Sequence, residues 1–268
     1  MGILNVTPDS FSDGGRFFDP TAAIAHALKL ADDGADILDI GGESTRPGAG
    51  EVVVDVELAR VIPVIEGLRA RLSTPLSIDT RKPDVARAAI AAGASMWNDV
   101  SALTFAPDSL ATASALGCDI VLMLAQGDPK SMQNDPHYGD VVDEVLAYLA
   151  RRIDACVIAG VSKSRLVVDP GIGFGKTVAH NLALIANLRR FRELGCPTLL
   201  GASRKRFIAA LDRNSPPAGR VGGSIAAALA GHAGGASILR VHDVAATRQA
   251  LAVARALNRA IEKAETLR

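Results

Sequence analysis

Cysteine, aromatic side chains, net charge and long apolar runs are all scarce in this chain. The three cysteines, at 118, 156 and 196, lie far apart and form no Cys-x-x-Cys pair. That spacing argues against a disulfide scaffold or a thiolate metal knuckle and points to buried thiols in a reducing compartment. Lys+Arg and Asp+Glu each number 29, so the formal net charge is zero, and nucleic acid is not an expected partner. No apolar run nears the roughly 20 residues that cross a bilayer, and no basic-then-apolar leader opens the chain. The expectation is a cytoplasmic protein that binds small molecules, with no membrane partner. Aromatics make up 4% of the residues, with a single Trp, against 25 glycines. Small residues of this kind suit close packing of helices on a sheet.

A repeat is present instead. Seven short apolar runs end in a polar or charged group: Ile3-Leu4-Asn5, Ile37-Leu38-Asp39-Ile40 before Gly41-Gly42-Glu43, and Leu76-Ser77-Ile78-Asp79. Then follow Met96-Trp97-Asn98-Asp99, Leu166-Val167-Val168-Asp169, Leu199-Leu200 leading to Ser203-Arg204-Lys205, and Ile238-Leu239-Arg240-Val241-His242-Asp243. An eighth run, Cys118 to Met123, ends apolar. Runs this short and this apolar read as buried parallel strands. Helical stretches lie between them, at 20–34, 55–71, 83–92, 107–116, 140–159, 178–194, 204–211 with 221–234, and 244–264. The fold class predicted is α/β, a (β/α)8 TIM barrel forming one domain over 1–268, with long active-site loops after strands 1 and 2. In such barrels the active site lies at the C-terminal strand ends, so the polar groups converge on one mouth.

Three connections, 6–19, 41–54 and 124–139, exceed what the barrel needs. Long loops on this face are commonly lids or binding loops. Phe11, an aromatic among turn formers, suits a lid that covers a ring. The first strand begins at residue 1. Either core side chains close the barrel floor or an upstream segment does.

The segment Asn5-Val6-Thr7-Pro8-Asp9-Ser10-Phe11-Ser12-Asp13-Gly14-Gly15 and the segment Gly42-Glu43-Ser44-Thr45-Arg46-Pro47-Gly48 resemble the two signature stretches of the dihydropteroate synthase family. Ser77-Ile78-Asp79-Thr80, Asn98-Asp99, Asp169 through Lys176, Ser203-Arg204-Lys205 and Arg240-Val241-His242-Asp243 match in family order. The resemblance implies a transferase of folate biosynthesis. It would join 4-aminobenzoate to a dihydropterin bearing a CH2-diphosphate and release diphosphate.

By that resemblance Asp169 accepts from the adjacent N–H and NH2 of the pterin edge, a charge-assisted pair. Asp79 and Asn98 meet the other ring nitrogens and the amino group, Lys205 donates to the ring carbonyl, and Met123 is an apolar wall. Read without the family, Asp79 and Asp169 are equally good helix caps. Arg240 and His242, two apart on a strand, point the same way and reach one anion; a salt bridge from Arg240 to Asp243 is the alternative. The resemblance places diphosphate there, with Asn5 and Mg2+. No all-protein metal cage is visible, and Mg2+ accepts a single oxygen ligand beside waters and phosphates.

For 4-aminobenzoate the resemblance implicates Phe11, Thr45, Arg46 and Pro47 in the loops, Phe174 as a wall, and Ser203 with the backbone after Lys205 for the carboxylate. Asp13 resembles a lid carboxylate near a developing cation. The catalytic set is then Asp13, Lys205, Arg240 and His242. Glu43 remains open between a base and a loop-ordering ion pair. His26, His137, His180 and His232 read as structural. Leu124 stands where the family commonly has histidine, which puts that residue's contribution, local packing by this reading, in question.

The mechanism implied is a dissociative substitution, with diphosphate leaving before the amine attacks. No side-chain nucleophile is needed, and catalysis is positioning plus electrostatics. A non-catalytic pterin-binding paralogue would lose lid or anion residues. A methyltetrahydrofolate-dependent corrinoid methyltransferase would lack the Ser-Thr-Arg-Pro-Gly and Ser-Arg-Lys segments. A Schiff-base aldolase or lyase would have to use Lys205. The family also implies a homodimer, for which helices 221–234 and 244–257 are the candidates.

Overall fold

Eight short strands alternate with helices in the computed structural model, which describes residues 1–7, 20–44, 50–125 and 136–266. The strands are β1 (Gly2–Asn5), β2 (Leu38–Gly41), β3 (Leu76–Asp79), β4 (Met96–Asp99), β5 (Asp119–Met123), β6 (Leu166–Asp169), β7 (Leu199–Leu200) and β8 (Ile238–Leu239). The helices are α1 (Pro20–Asp32), α2 (Val54–Arg69), α3 (Pro83–Ala91), α4 (Ser109–Leu116), α5 (Val141–Ile158), α6 (Val178–Ala186), α7 (Arg206–Leu211), α8 (Val221–Ala233) and α9 (Val244–Thr266). β1 to β6 form one parallel sheet in sequence order, and β7 pairs with β8. Parallel bridges Val168–Thr198 and Gly2–Val241 join the two sheets. Val168 N donates to Pro197 O at 2.9 Å and Val241 N to Met1 O at 2.9 Å. These contacts complete the ring of a (β/α)8 barrel, the fold class expected.

Local chemistry sets the helix limits. Pro83 occupies the first turn of α3, where its missing N–H is not needed. The Asp140 side chain accepts from the Val142 and Asp143 amides and starts α5. Thr177 and His180 form a reciprocal capping box for α6, so His180 is structural, as expected. Gly117 ends α4 in the left-handed region, at φ 67°.

One helix expectation fails. The stretch 178–194 is not continuous: α6 stops at Ala186, and 188–194 is a 3-10 helix. Asn187 makes the break at φ −104°, ψ 18°, and its side chain donates to Ala183 O at 2.9 Å. Short amides compete for backbone carbonyls in this way. An apolar periodicity alone does not reveal it.

Two apolar layers result. Leu4, Leu38, Ile40, Leu76, Ile78, Trp97, Ile120, Leu122, Leu166 and Val168 are buried with residues from the surrounding helices. Met1, Met96, Val121, Val167 and Leu199 form a separate cluster, with Ile37 and Ile238 against it. The second cluster fills the lower barrel interior, so core side chains occupy the floor. No described helix is long and apolar enough to cross a membrane.

Candidate active site

Side chains alternate along a strand, so Asp39 and Gly41 of β2 face the same way, as do Ser77 and Asp79 of β3. The register aligns Gly41 with Asp79, Asp79 with Asn98, Asn98 with Val121 and Met123 with Asp169. The upper barrel interior therefore carries Asp79, Asn98, Met123 and Asp169, with Asp39 one row deeper. Gly41 and Gly201 leave room above them. A Cβ on Gly41 would lie 3.5 Å from Asp79 Cβ, and one on Gly201 would lie 3.7 Å from Asp169 Oδ2.

Arg240 reaches into this layer. Its Nε donates to Asp39 Oδ2 at 2.5 Å and its Nη2 to Asp79 Oδ2 at 2.7 Å. Asn98 Nδ2 donates to the same Asp39 oxygen at 3.0 Å. Burial raises the Asp79 pKa to about 7, with Arg240 opposing and Asp39 adding to the rise. Burial works against the Arg240 charge, but Asp39 and Asp79 outweigh it and hold its pKa above the ordinary arginine value. Asp39 Oδ1 and Asp79 Oδ1 are buried and accept no hydrogen bond from the described residues.

Two lysines face this carboxylate side. Lys205 Nζ donates to Ile172 O and sits 4.5 Å from the centre of the Phe174 ring. Burial lowers its pKa to about 8, while Asp169 opposes the shift. Asp169 is itself raised, first by burial, against the pull of Lys205 and the Gly171 amide. Lys176 is buried and donates to Phe174 O at 3.0 Å and Leu124 O at 3.4 Å. Burial lowers its pKa to about 7. The turn between needs glycine at 171. Its φ is 70°, and a Cβ there would come within 2.1 Å of Leu124 O.

The helix-cap reading of the two aspartates fails. Asp169 Oδ1 accepts Gly171 N at 2.7 Å within the turn, and α6 takes its cap from Thr177 instead. The N-cap of α3 is Lys82, with no side-chain cap, and Asp79 is turned into the barrel. Arg240 does not bridge to Asp243 either. Arg204 does, through Nε at 3.0 Å and Nη2 at 2.5 Å. Arg204 takes φ 57°, which swings Lys205 to the start of α7. Arg240 and His242 diverge as well. His242 Nδ1 lies 3.0 Å from Ser203 Oγ, whereas Arg240 points down to Asp39 and Asp79.

Asn5 ends β1, half-buried, and no hydrogen bond from its side chain is found among the described residues. No group of three or more His, Cys, Asp or Glu among the described residues could hold a metal. Phe11, Asp13, Thr45, Arg46 and Pro47 lie outside the described residues. Glu43, open between two roles, is a loop brace. It accepts from Val52 N at 2.8 Å and Arg81 Nε at 3.2 Å and pairs with Lys82 at 3.0 Å. Burial would raise its pKa, but the Val52 amide, Lys82 and Arg81 hold it below the usual range, which does not suit a base.

A family model described as pterin binding enzyme matches residues 1–242. The dihydropteroate synthase of Escherichia coli (strain K12) is 47% identical over 256 residues, covering 96% of this chain and 90% of that protein. The chain belongs to the dihydropteroate synthase family. Among solved structures, a Xanthomonas albilineans dihydropteroate synthase with 4-aminobenzoic acid matches at 55% identity and TM-score 0.90, covering 96% of this chain and 92% of that one. The same organism's enzyme in complex with 7,8-dihydropteroate matches at 52% identity and TM-score 0.87, with coverage of 96% and 92%.

For this member of the dihydropteroate synthase family, the geometry adds residues that sequence reasoning passed over. Asp39 carried a signal, a carboxylate inside an apolar run and two residues before an inward glycine. Lys176, after a glycine turn, carried none that could place its ammonium. In Asn98-Asp99 only the first residue faces the mouth. Asp99 accepts from Ser101 N at 2.7 Å and Leu103 N at 2.8 Å and braces the loop after β4. Leu124 packs in the apolar core, so at this position the side chain does supply local packing.

Proposed function

We infer that this enzyme is a transferase with dihydropteroate synthase activity. It condenses 4-aminobenzoate with (7,8-dihydropterin-6-yl)methyl diphosphate, giving 7,8-dihydropteroate and diphosphate. The observation that carries the reading is the split polarity of the mouth. Asp79 Oδ1, which accepts nothing from the described residues, lies with Asp169 among the acceptors, and the Lys205 ammonium, charge-coupled to Asp169, supplies a donor. A pterin presents N–H and NH2 donors on one edge and a carbonyl beside them, and it satisfies both.

Asp169 and Asp79 accept the ring donors, Lys205 donates to the carbonyl, and Met123 closes one face. His242, with Ser203, lies where the diphosphate would emerge. Arg240 keeps N–H groups beyond the two given to Asp39 and Asp79, and its charge offsets theirs. Asn5 suits Mg2+, because its amide is not engaged by the described residues and the ion would take its remaining oxygens from diphosphate and water. When bound, the ion supplies positive charge to the leaving group. The C–O bond breaks with its electron pair on diphosphate, and the ring shares the cation left on carbon. The aminobenzoate nitrogen then forms the C–N bond and releases a proton. Phe174 and Ser203 are assigned to the aminobenzoate, and the family resemblance alone assigns Phe11, Thr45, Arg46 and Pro47 to it and Asp13 to the cation. The protein's part is orientation, charge placement and water exclusion.

A homodimer fits the outward face of α9, where Val253, Leu257 and Ile261 are 55%, 59% and 55% exposed at four-residue spacing. Sedimentation checks it. A cytoplasmic location fits three free, buried thiols. The test of function is diphosphate release. Release and dihydropteroate formation only with both substrates and Mg2+ are expected; no product with all three present overturns the reading.

A further inference from the structure

Asp39 is fully buried and touches both a candidate pterin ligand and a cation. Its Oδ2 accepts from Asn98 Nδ2 at 3.0 Å and Arg240 Nε at 2.5 Å. A carboxylate facing a guanidinium can only accept. An amide set against it must turn its NH2 that way. Asp39 lies one row below the Gly41–Asp79 level, so the Asn98 NH2 points down and its carbonyl oxygen is left on the side of the mouth. That oxygen accepts nothing from the described residues. With Asp79 Oδ1, which also accepts nothing from the described residues, it makes the face built by β3 and β4 acceptor-only. Without Asp39 the amide is free to turn over and present two donors instead.

We propose that Asp39 is a positioning residue that fixes the polarity of Asn98, so that the fourth-strand contact admits only a ligand offering N–H there. This rests on the pterin reading of the mouth. It adds a residue that touches no substrate and decides a specificity.

The test measures the dissociation constant of 6-hydroxymethyl-7,8-dihydropterin by calorimetry. Asp39→Asn can donate to the Asn98 carbonyl and flip the amide, so the constant should rise at least about tenfold, the effect of one misdirected buried hydrogen bond. The exchange variant Asp39→Asn/Asn98→Asp again presents only acceptors to the mouth and should recover to within about threefold of wild type. A single variant that binds within about twofold of wild type overturns the proposal. So does an exchange variant that melts like wild type yet binds no better than the single. A measurement on wild type guards against variants that fail to fold. With asparagine-selective 15N labelling, the Asn98 NH2 protons should exchange slowly with water before pterin is added, since they face a buried carboxylate. Fast exchange in the free enzyme overturns the proposal. Failure of wild type to bind the dihydropterin would instead sink the pterin reading while leaving the exchange measurement to judge Asp39.

Discussion

Arg240 Nη2 lies 2.7 Å from Asp79 Oδ2, which ties the end of the eighth strand to the end of the third across the barrel mouth. The same guanidinium holds Asp39 at 2.5 Å. One cation thus serves two carboxylates, and the cluster keeps an excess negative charge in a buried setting. Burial first, with Asp39 adding to it against Arg240, raises the Asp79 pKa to about 7, and the negative charge of the cluster favours a ligand rich in N–H groups.

Pterin affinity should therefore follow a narrow bell in pH. Asp79, raised to about 7, must be ionised to accept, so affinity rises as pH climbs through that value. Lys205, lowered to about 8, must be protonated to donate, so affinity falls above it. Each limb approaches about tenfold per pH unit well away from its pKa. Calorimetry with the dihydropterin from pH 5.5 to 9.5 reads both limbs. Asp79→Asn should bind more weakly and move the acid limb to lower pH. An unmoved acid limb would take Asp79 out of the contact.

Asp169→Asn should cripple pterin binding without disturbing the fold. The amide keeps an oxygen for the Gly171 N–H, now held at 2.7 Å, so the turn survives. The ligand-facing charge does not. Losing a charge-assisted buried pair amounts to about 1.5–3 kcal/mol, a factor of roughly ten to a hundred or more in the dissociation constant. The melting temperature should stay near that of wild type. Equal affinity for the two proteins would remove Asp169 from the pterin edge.

The barrel was legible because buried parallel strands are short and apolar, and each here ends in a group that cannot stay in a core. Asp79, Asn98 and Asp169 could be placed on one mouth by counting strand ends. Partners could not be counted this way. Arg240 and His242 share a strand face, yet one points inward to Asp39 and the other to Ser203, because side-chain length and neighbouring strands decide direction. Asp39 hid within its own strand's apolar run, and Arg204 took the Asp243 pair through a left-handed backbone no pattern announces. The break at Asn187 escaped for a similar reason, since a single amide bond outweighs an apolar period.

Lys176→Met should change how stability depends on alkaline pH. The wild-type ammonium is buried and its pKa is lowered to about 7, so between pH 7 and the unfolded-state value near 10.5 the unfolded chain binds more protons. Stability of the wild type therefore rises over that window, and the penalty reappears as pH falls toward 7. The Met variant lacks this contribution. The difference in unfolding free energy between the two proteins should shift by on the order of a few kcal/mol between pH 7 and 10, in favour of wild type at the higher pH. Urea titrations at both values check it, and a constant difference would mean that Lys176 is not the buried titrating group. The variant also loses the bonds to Leu124 O and Phe174 O, so 4-aminobenzoate should bind more weakly against a less firmly held Phe174.

Glu43→Gln isolates the root of the second long loop. Glu43 lies near the start of the 41–54 connection and accepts the Val52 amide near its end at 2.8 Å, so one carboxylate joins both ends. Arg81 and Lys82 fix that carboxylate to the segment following β3. Lys82 retains Glu57 at 2.6 Å in the variant, so it does not become an unpaired buried cation. Glutamine can keep one acceptor bond but not the charge that holds two cations at once, and a loss of about 1–3 kcal/mol is expected. The loop carries Thr45, Arg46 and Pro47, whereas the pterin ligands belong to other strands. The KM for 4-aminobenzoate should rise severalfold while the pterin dissociation constant stays within about twofold, because only the loop's root is loosened. If both constants rise together, Glu43 supports the barrel mouth as a whole, and its assignment to the loop must be withdrawn.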